Sequence, residues 1–366
     1  MKIGIFTFHR SINYGAVLQA YGLQQFLSQR GHDVYIIDIK DYRVSEGCQF
    51  RLVDRMKDLG VIGFIKYQLR NILTFYIRNK RKRLFNKFVE KELRLKQVDV
   101  YKRDYSFDAF VFGSDQIWNP IITNGISPIL VGRVPLVMGK RILSYAGSVG
   151  HNDNLSTRDM EILRKEIQHF DFISVRENSL KEILNTDNVS VVIDPVLLAG
   201  KEVFEPLCFD SNDVVTGRKN RYLLIFSLSR DDRAVQIAKK IADEKRLDVI
   251  EIISSNETIK NRGIKQTVSV YDIIGYFKNA SYVVSTSYHG MVLAILFEKD
   301  FNVLFDDDRY LERSSYILNK LGIYNRLINI NLYTDLATNH IEYSDVNKIL
   351  KKLRDESVDY LQKALG

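Results

Sequence analysis

The chain has 366 residues, 45% hydrophobic and 27% charged, with only two cysteines, Cys48 and Cys208. That composition excludes a fibrous or disordered chain, and the length exceeds what a single core ordinarily fills. Two distant cysteines exclude a disulfide framework and a thiolate metal site, and suit a reducing, cytoplasmic compartment.

The opening, MKIGIFTFHRS, lacks the pattern of a signal peptide, and residues 2–8 read as a strand. Residues 16–31 follow with helical spacing of apolar positions and a glycine stop at Gly31. Residues 33–39 read as a second strand, so the chain starts with a βαβ unit, which implies a parallel sheet. Residues 51–97 read as mainly helical, and the charge is concentrated there. The net charge is +8, yet residues 51–96 alone hold 14 lysines and arginines against four acids, leaving the rest near −2. The apolar run 61–77 is interrupted by Lys66 and Arg70, so it is not expected to span a bilayer. A basic, partly apolar helix suits an anionic membrane surface or a polyphosphate, or is simply a solvated face. Nucleic acid is not expected, because no binding motif accompanies the charge.

Further strands are expected at 108–113, 141–146, 171–176 and 189–194, with a helix at 156–169. The pattern lapses at 199–220, where a linker is expected. A second series follows, with strands at 221–228, 247–254, 281–287 and 301–305, helices at 231–246, 271–279 and 290–297, and a charged amphipathic helix at 344–365. No solenoid repeat or low-complexity tract is present. The fold class is therefore α/β, with two Rossmann-like doubly wound domains facing across a cleft. The N-terminal domain covers 1–205 with a basic helical insertion at 51–97. The second covers 220–335, and a terminal helix covers 344–366. Ligands of such sheets bind beyond the carboxyl ends of the strands.

Five strand-end loops carry candidate chemistry. FHRSINYGAVLQ (8–19) offers His9, Arg10, Ser11, Asn13, Tyr14 and Gly15 before a helix, whose free N–H groups favour an anion or sugar hydroxyls; a plain asparagine cap is the other reading. FGSDQIWNP (112–120) offers Ser114, Asp115 and Gln116 as a polar lip, although Asp115 also suits a turn and Trp118 reads as packing. In ISVRENS (173–179), Arg176 and Glu177 are either a surface ion pair or an arginine fork aimed at a carboxylate or phosphate. VVIDPVLL (191–198) ends a strand at Asp194–Pro195, read first as a structural stop and second as a catalytic carboxylate. Last, STSYHGMVLAILF (285–297) places His289 at a strand-to-helix joint beside Ser287, Tyr288 and Gly290. A buried core histidine is the bland alternative. No cluster has metal-ligand spacing, so no metal is expected.

In order along the chain, FHRSINYGAVLQAYGLQ, FVFGSDQIWNP, SYAGSVG, ISVRE, VIDPVLL and STSYHGMVLAILF resemble the polysaccharide pyruvyl transferase family. The resemblance spans roughly residues 1–325 and implies a GT-B-like shape. It implies transfer of a pyruvyl group from phosphoenolpyruvate to two hydroxyls of one sugar, forming a cyclic ketal. No cofactor is implied beyond phosphoenolpyruvate as co-substrate. The family's histidine before glycine and its arginine in the SVRE position fall on His289 and Arg176. Tyr288 stands where many relatives carry phenylalanine. On this reading His289 and Arg176 are catalytic. Ser287, Tyr288 and Gly290, with Arg176, bind the donor, and Asn13, Tyr14, Gly15, Ser114, Asp115 and Gln116 meet the acceptor. A histidine is a suitable proton donor, and a guanidinium suits the donor's carboxylate and phosphate. The acceptor is a sugar of a cell-surface polysaccharide or its polyprenyl-diphosphate-linked precursor, which places the enzyme in the cytoplasm, at the inner membrane face. A GT-B glycosyltransferase using a nucleotide sugar, and a carbohydrate-binding protein without catalysis, are the competing expectations.

Overall fold

A computed structural model of the chain describes residues 1–39, 52–186, 188–210, 221–255, 263–306, 311–331 and 336–366. Residues 211–220 of the expected linker, Arg51, and the side chains of Arg55, Lys57, Lys66 and Arg70 lie outside the described residues.

Two parallel sheets organise the molecule. The first holds β1 (Lys2–Phe6), β2 (Asp33–Asp38), β3 (Leu95–Gln97), β4 (Ala109–Asp115), β5 (Arg141–Gly147), β6 (Ile173–Val175) and β7 (Val189–Val191), in the order β3-β2-β1-β4-β5-β6-β7. The second holds β8 (Tyr222–Ser227), β9 (Asp248–Ile253), β10 (Ile264–Lys265), β11 (Tyr282–Ser285), β12 (Asp300–Phe305) and β13 (Leu327–Asn329), in the order β10-β9-β8-β11-β12-β13. Each sheet therefore repeats the Rossmann order, and each reverses direction once, between β1 and β4 and between β8 and β11. Strands β4 and β8, at these reversals, are buried along their whole length. That is why they read as continuous apolar runs rather than alternations.

The principal helices are α1 (Tyr14–Ser28), α2 (Leu52–Glu92), α3 (Thr157–Glu166), α4 (Asn178–Leu184), α5 (Pro195–Ala199), α6 (Asp232–Lys245), α7 (Val270–Asn279), α8 (Tyr288–Leu296), α9 (Leu311–Lys320) and α10 (Tyr343–Leu365). Helix α1 has almost no wet side, being buried at every position except Gln25 and Ser28. It is covered by its own sheet on one side and by α5 and the second domain on the other, as expected of a helix apolar all round. Tyr14 clamps the two domains: its hydroxyl donates to the Val268 carbonyl at 2.7 Å, and its ring meets Phe85 and Phe226. Helix α2 is kinked at Gly60, which takes φ +63, and adds a second clamp, Tyr271 donating to Glu92 at 2.7 Å.

The terminal helix is not an appendage. It leaves the second domain, where the Tyr343 hydroxyl donates to the Lys299 carbonyl, and returns to the first. There Arg354 donates to the Leu197 carbonyl, Ser357 accepts from the Ile193 N–H, and Tyr360 donates to the Ser144 carbonyl at 2.6 Å. One hydrophobic cluster accordingly runs from Ile3 and Leu18 through Phe226 and Met291 to Leu365.

Candidate active site

The loops that leave β1, β4, β8 and β11 come from the two reversal points and meet one another. They enclose a cavity of about 140 Å³ whose walls include Asn13, Asp115, Gln116, Leu228, Ser287, Tyr288, His289 and Arg313. Local chemistry sets the walls. Asn13 caps α1 by accepting the N–H groups of Gly15 and Ala16, and Ser287 caps α8 by accepting that of Gly290. Two helix N-termini, one from each domain, therefore open at the cavity.

Beside it lies a buried charge network. Arg176 is 4% exposed, and its Nη1 donates to Asp194 Oδ2 at 2.9 Å. Its Nη2 stands 3.7 Å from Asp115 Oδ1, and both Nε and Nη2 are buried without a hydrogen-bond partner among the described residues. The other Asp194 oxygen accepts the Val196 N–H and starts α5. His289 Nε2 lies 3.6 Å from Asp194 Oδ2, an ion-pair distance too long for a hydrogen bond. The imidazole of the second domain and the guanidinium of the first thus converge on one carboxylate oxygen.

The electrostatics follow from that arrangement. Burial pushes the Asp194 carboxyl up, but His289 and Arg176 outweigh it and hold the group below the usual carboxylate range. Burial lowers Arg176, yet Asp194 and its neighbours carry it above the ordinary arginine value. Arg313 is lowered, first by burial and then by the charge of Arg176. The Tyr288 ring sits between the two guanidiniums, 5.2 Å from Arg176 and 5.3 Å from Arg313, a cation–π arrangement. Burial, and then Asp194, push its phenol up. Glu177 accepts from Ser148 at 2.6 Å and lies 3.9 Å from Arg313.

The site residues expected from the sequence do not all arrive. Asn13, Asp115, Gln116, Ser287, Tyr288 and His289 line the cavity. Gly15 abuts it: a Cβ there would fall 2.0 Å from His289 Nδ1, so only glycine lets α1 touch the imidazole. A Cβ on Gly290 would fall 2.1 Å from Ser285 Oγ. Two residues are placed elsewhere. The Tyr14 hydroxyl is committed to Val268, and Ser114 is fully buried, donating to the Ala146 carbonyl while its N–H donates to Gln19. The surface ion pair of Arg176 and Glu177 is also corrected, because both side chains are buried. Arg176 is not a free fork; one edge is neutralised by Asp194. Asp194, read first as a strand stop, holds the network together. Arg313 has no signal in the sequence, because the polar stretch before α9 hides the start of that helix. His9 lies apart, bonded through Nε2 to Asp38, which Arg10 also grips. Among the described residues no group of three or more His, Cys, Asp or Glu is placed to hold a metal ion.

The arrangement can bind a small polyanion through N–H groups and move a proton at an imidazole. The family model described as "Polysaccharide pyruvyl transferase" matches residues 13–304. No curated protein matches the sequence. Among solved structures, a UDP co-structure of S. aureus MnaA is similar with a TM-score of 0.47 at 12% identity, covering 99% of this chain and 90% of that one. The glycosyltransferase SnogD from Streptomyces nogalater is similar with a TM-score of 0.44 at 11% identity, covering 100% of this chain and 97% of that one.

Proposed function

The chain belongs to the polysaccharide pyruvyl transferase family, and from that premise we propose that this transferase moves a pyruvyl group from phosphoenolpyruvate to two hydroxyls of one sugar. The acceptor is a sugar of a cell-surface polysaccharide or its polyprenyl-diphosphate-linked precursor, met in the cytoplasm at the inner membrane face. The observation that carries the donor is the size of the cavity. Its 140 Å³ lies below the roughly 300–1,000 Å³ typical of sites for drug-sized ligands. A three-carbon phosphate suits that scale better than a nucleotide sugar.

The polar groups suit the same guest. Arg313 brings a cation to the wall, and the N-terminus of α8 brings N–H groups to a phosphate. Arg176, beside the cavity rather than in its wall, keeps two buried donors, Nε and Nη2, without a hydrogen-bond partner among the described residues, and its positive charge suits a carboxylate nearby. The protons balance as follows. His289 gives a proton to C3 of the enol, and C2 becomes the electrophile. One sugar hydroxyl adds to C2 and returns its proton to the imidazole. The C2–O bond to phosphate breaks, phosphate leaving with the electron pair, and the second hydroxyl closes the ketal as its proton passes to the released phosphate. Asp194 positions the imidazole and the guanidinium and does not itself touch substrate. The acceptor enters from the side of Asn13, Asp115 and Gln116. No cofactor takes part in this scheme.

The test is phosphate release from phosphoenolpyruvate with a galactoside present, run beside nucleotide release from UDP- and GDP-sugars. Phosphate release that depends on the acceptor, and that falls by about 10²–10⁴-fold in His289→Ala, is expected. Nucleotide release without phosphoenolpyruvate would overturn the reading. Sugar binding without turnover, unchanged in His289→Ala, would make the chain a binding protein.

A further inference from the structure

Helix α2 has an inner face that holds the molecule together and an outer face that the described chain leaves uncovered. Thr74, Arg81, Phe85, Phe88 and Val89 are buried and mark the inner face. Phe85 packs on Tyr14, and Phe88 on Tyr21 and Tyr271. On the opposite side Ile65, Leu69, Ile72 and Tyr76 are 54%, 56%, 72% and 73% exposed. Their spacing of four, three and four residues places them on one stripe. The same phase continues to Arg83 and Lys87, both exposed. Along its axis the outer face therefore passes from aliphatic to aromatic to cationic. Scattered exposed apolar residues need no explanation, but a contiguous stripe marks an interaction surface.

We propose that this face docks on an anionic lipid bilayer, with Ile65, Leu69, Ile72 and Tyr76 entering the acyl boundary and Arg83 and Lys87 lying against the phosphates. The charge selects this occupant. From Arg78 to Lys91 the chain holds seven lysines and arginines and one acid, so a second copy laid along the helix would bring like charges together, whereas anionic headgroups are complementary. A tyrosine at the junction of the apolar and basic halves sits where such rings favour the headgroup level. The apolar stretch is roughly 16 Å long at the helical rise, and among the described residues no helix is long and apolar enough to cross a membrane; the helix lies on the surface. Its inner face reaches the site, because Arg81 Nη2 donates to the Ile12 carbonyl at 3.3 Å, one residue before Asn13 at the cavity wall. Docking would leave α2 between the bilayer and the acceptor side of the cavity, holding that side close to the lipid. This deepens the reading of a lipid-linked acceptor and rests on it for its purpose, though not for its test.

The test is co-sedimentation of the full chain with vesicles of phosphatidylcholine and phosphatidylglycerol, against phosphatidylcholine alone. The chain should pellet with the anionic vesicles only. Neutralising one headgroup contact costs roughly fivefold in affinity, so the pair Arg83→Gln and Lys87→Gln should lose about 25-fold. Ile72→Ser should lose roughly tenfold or more. The exposed pair Lys351→Gln and Lys352→Gln on α10 should bind as wild type. Failure of the wild type to pellet, an unaffected Arg83/Lys87 pair, or equal loss in the α10 control would overturn the proposal. So would a dimer in sedimentation velocity that Ile72→Ser dissolves, which would assign the face to a second copy. Phosphate release with a soluble galactoside should be unchanged in the Arg83/Lys87 pair; its absence in the wild type would count against pyruvyl transfer and leave docking standing.

Discussion

The Asp194 side chain has no exposed surface to solvate its charge; Arg176, His289 and the Val196 N–H surround it instead. A carboxyl held below its usual range contributes stability that is present above the unfolded value, about 3.9, and lost as pH falls through the lower folded value. The sign is therefore fixed: Asp194 stabilises at neutral pH and ceases to do so in acid. Asp194→Asn leaves Arg176 buried beside an uncharged partner, a change that costs about 3–5 kcal/mol for buried pairs. Urea unfolding across pH should show that deficit at full size above about pH 5, shrinking below about pH 4. A deficit that grew in acid would contradict the assignment. At this scale the sequence was partly legible. His289 announced itself by standing at a joint between strand and helix, and Arg176 by ending a strand. Their meeting on Asp194 was not legible, because the contact joins residues of different domains and no local periodicity encodes it. Arg313 carries no local signal at all.

Helix α1 shows how an element built for packing also shapes the cavity. Its Asn13 cap lines the cavity, its middle is buried on all sides, and Gly15 lies against the imidazole. Gly15→Ala must displace either α1 or the His289 ring, a strain of about 1–3 kcal/mol in a packed interior, and should lower both melting temperature and turnover. Gly275 in α7 is the matched control, since a Cβ there meets nothing within 4 Å. Gly275→Ala should stabilise by roughly 0.5–1 kcal/mol. Thermal melts of the two variants check both signs; equal effects would mean that Gly15 acts only through helix propensity. The long elements were legible from the sequence because burial on both faces leaves uninterrupted apolar runs. The edge strands β3, β10 and β13, two or three residues long, are too short to establish a period. Helix α4 is scarcely two turns, and α9 follows a polar stretch that hides its start.

At the scale of the whole molecule, alternating strands and helices implied two doubly wound parallel sheets facing across a cleft, and the structure has them, each sheet reversing once; what no local pattern gave is which loops the two reversals would bring together. That juxtaposition is what creates a shared cavity. Nor did the charged pattern of α10 reveal that it returns to the first sheet, since its partners, Ile193 and Ser144, lie more than a hundred residues upstream. The basic stretch was visible as charge, while its division into an inner clamp and an outer stripe required the helix to be placed. The claim that joins these scales is that the closed molecule protonates the enol of phosphoenolpyruvate and builds a ketal on a sugar. Mass spectrometry of a candidate glycan incubated with phosphoenolpyruvate in deuterated water tests it most directly. The account predicts a glycan bearing one pyruvyl ketal whose methyl group carries one deuterium, absent with His289→Ala. A glycan extended by a sugar from a nucleotide donor, or a ketal formed equally well without His289, would contradict it.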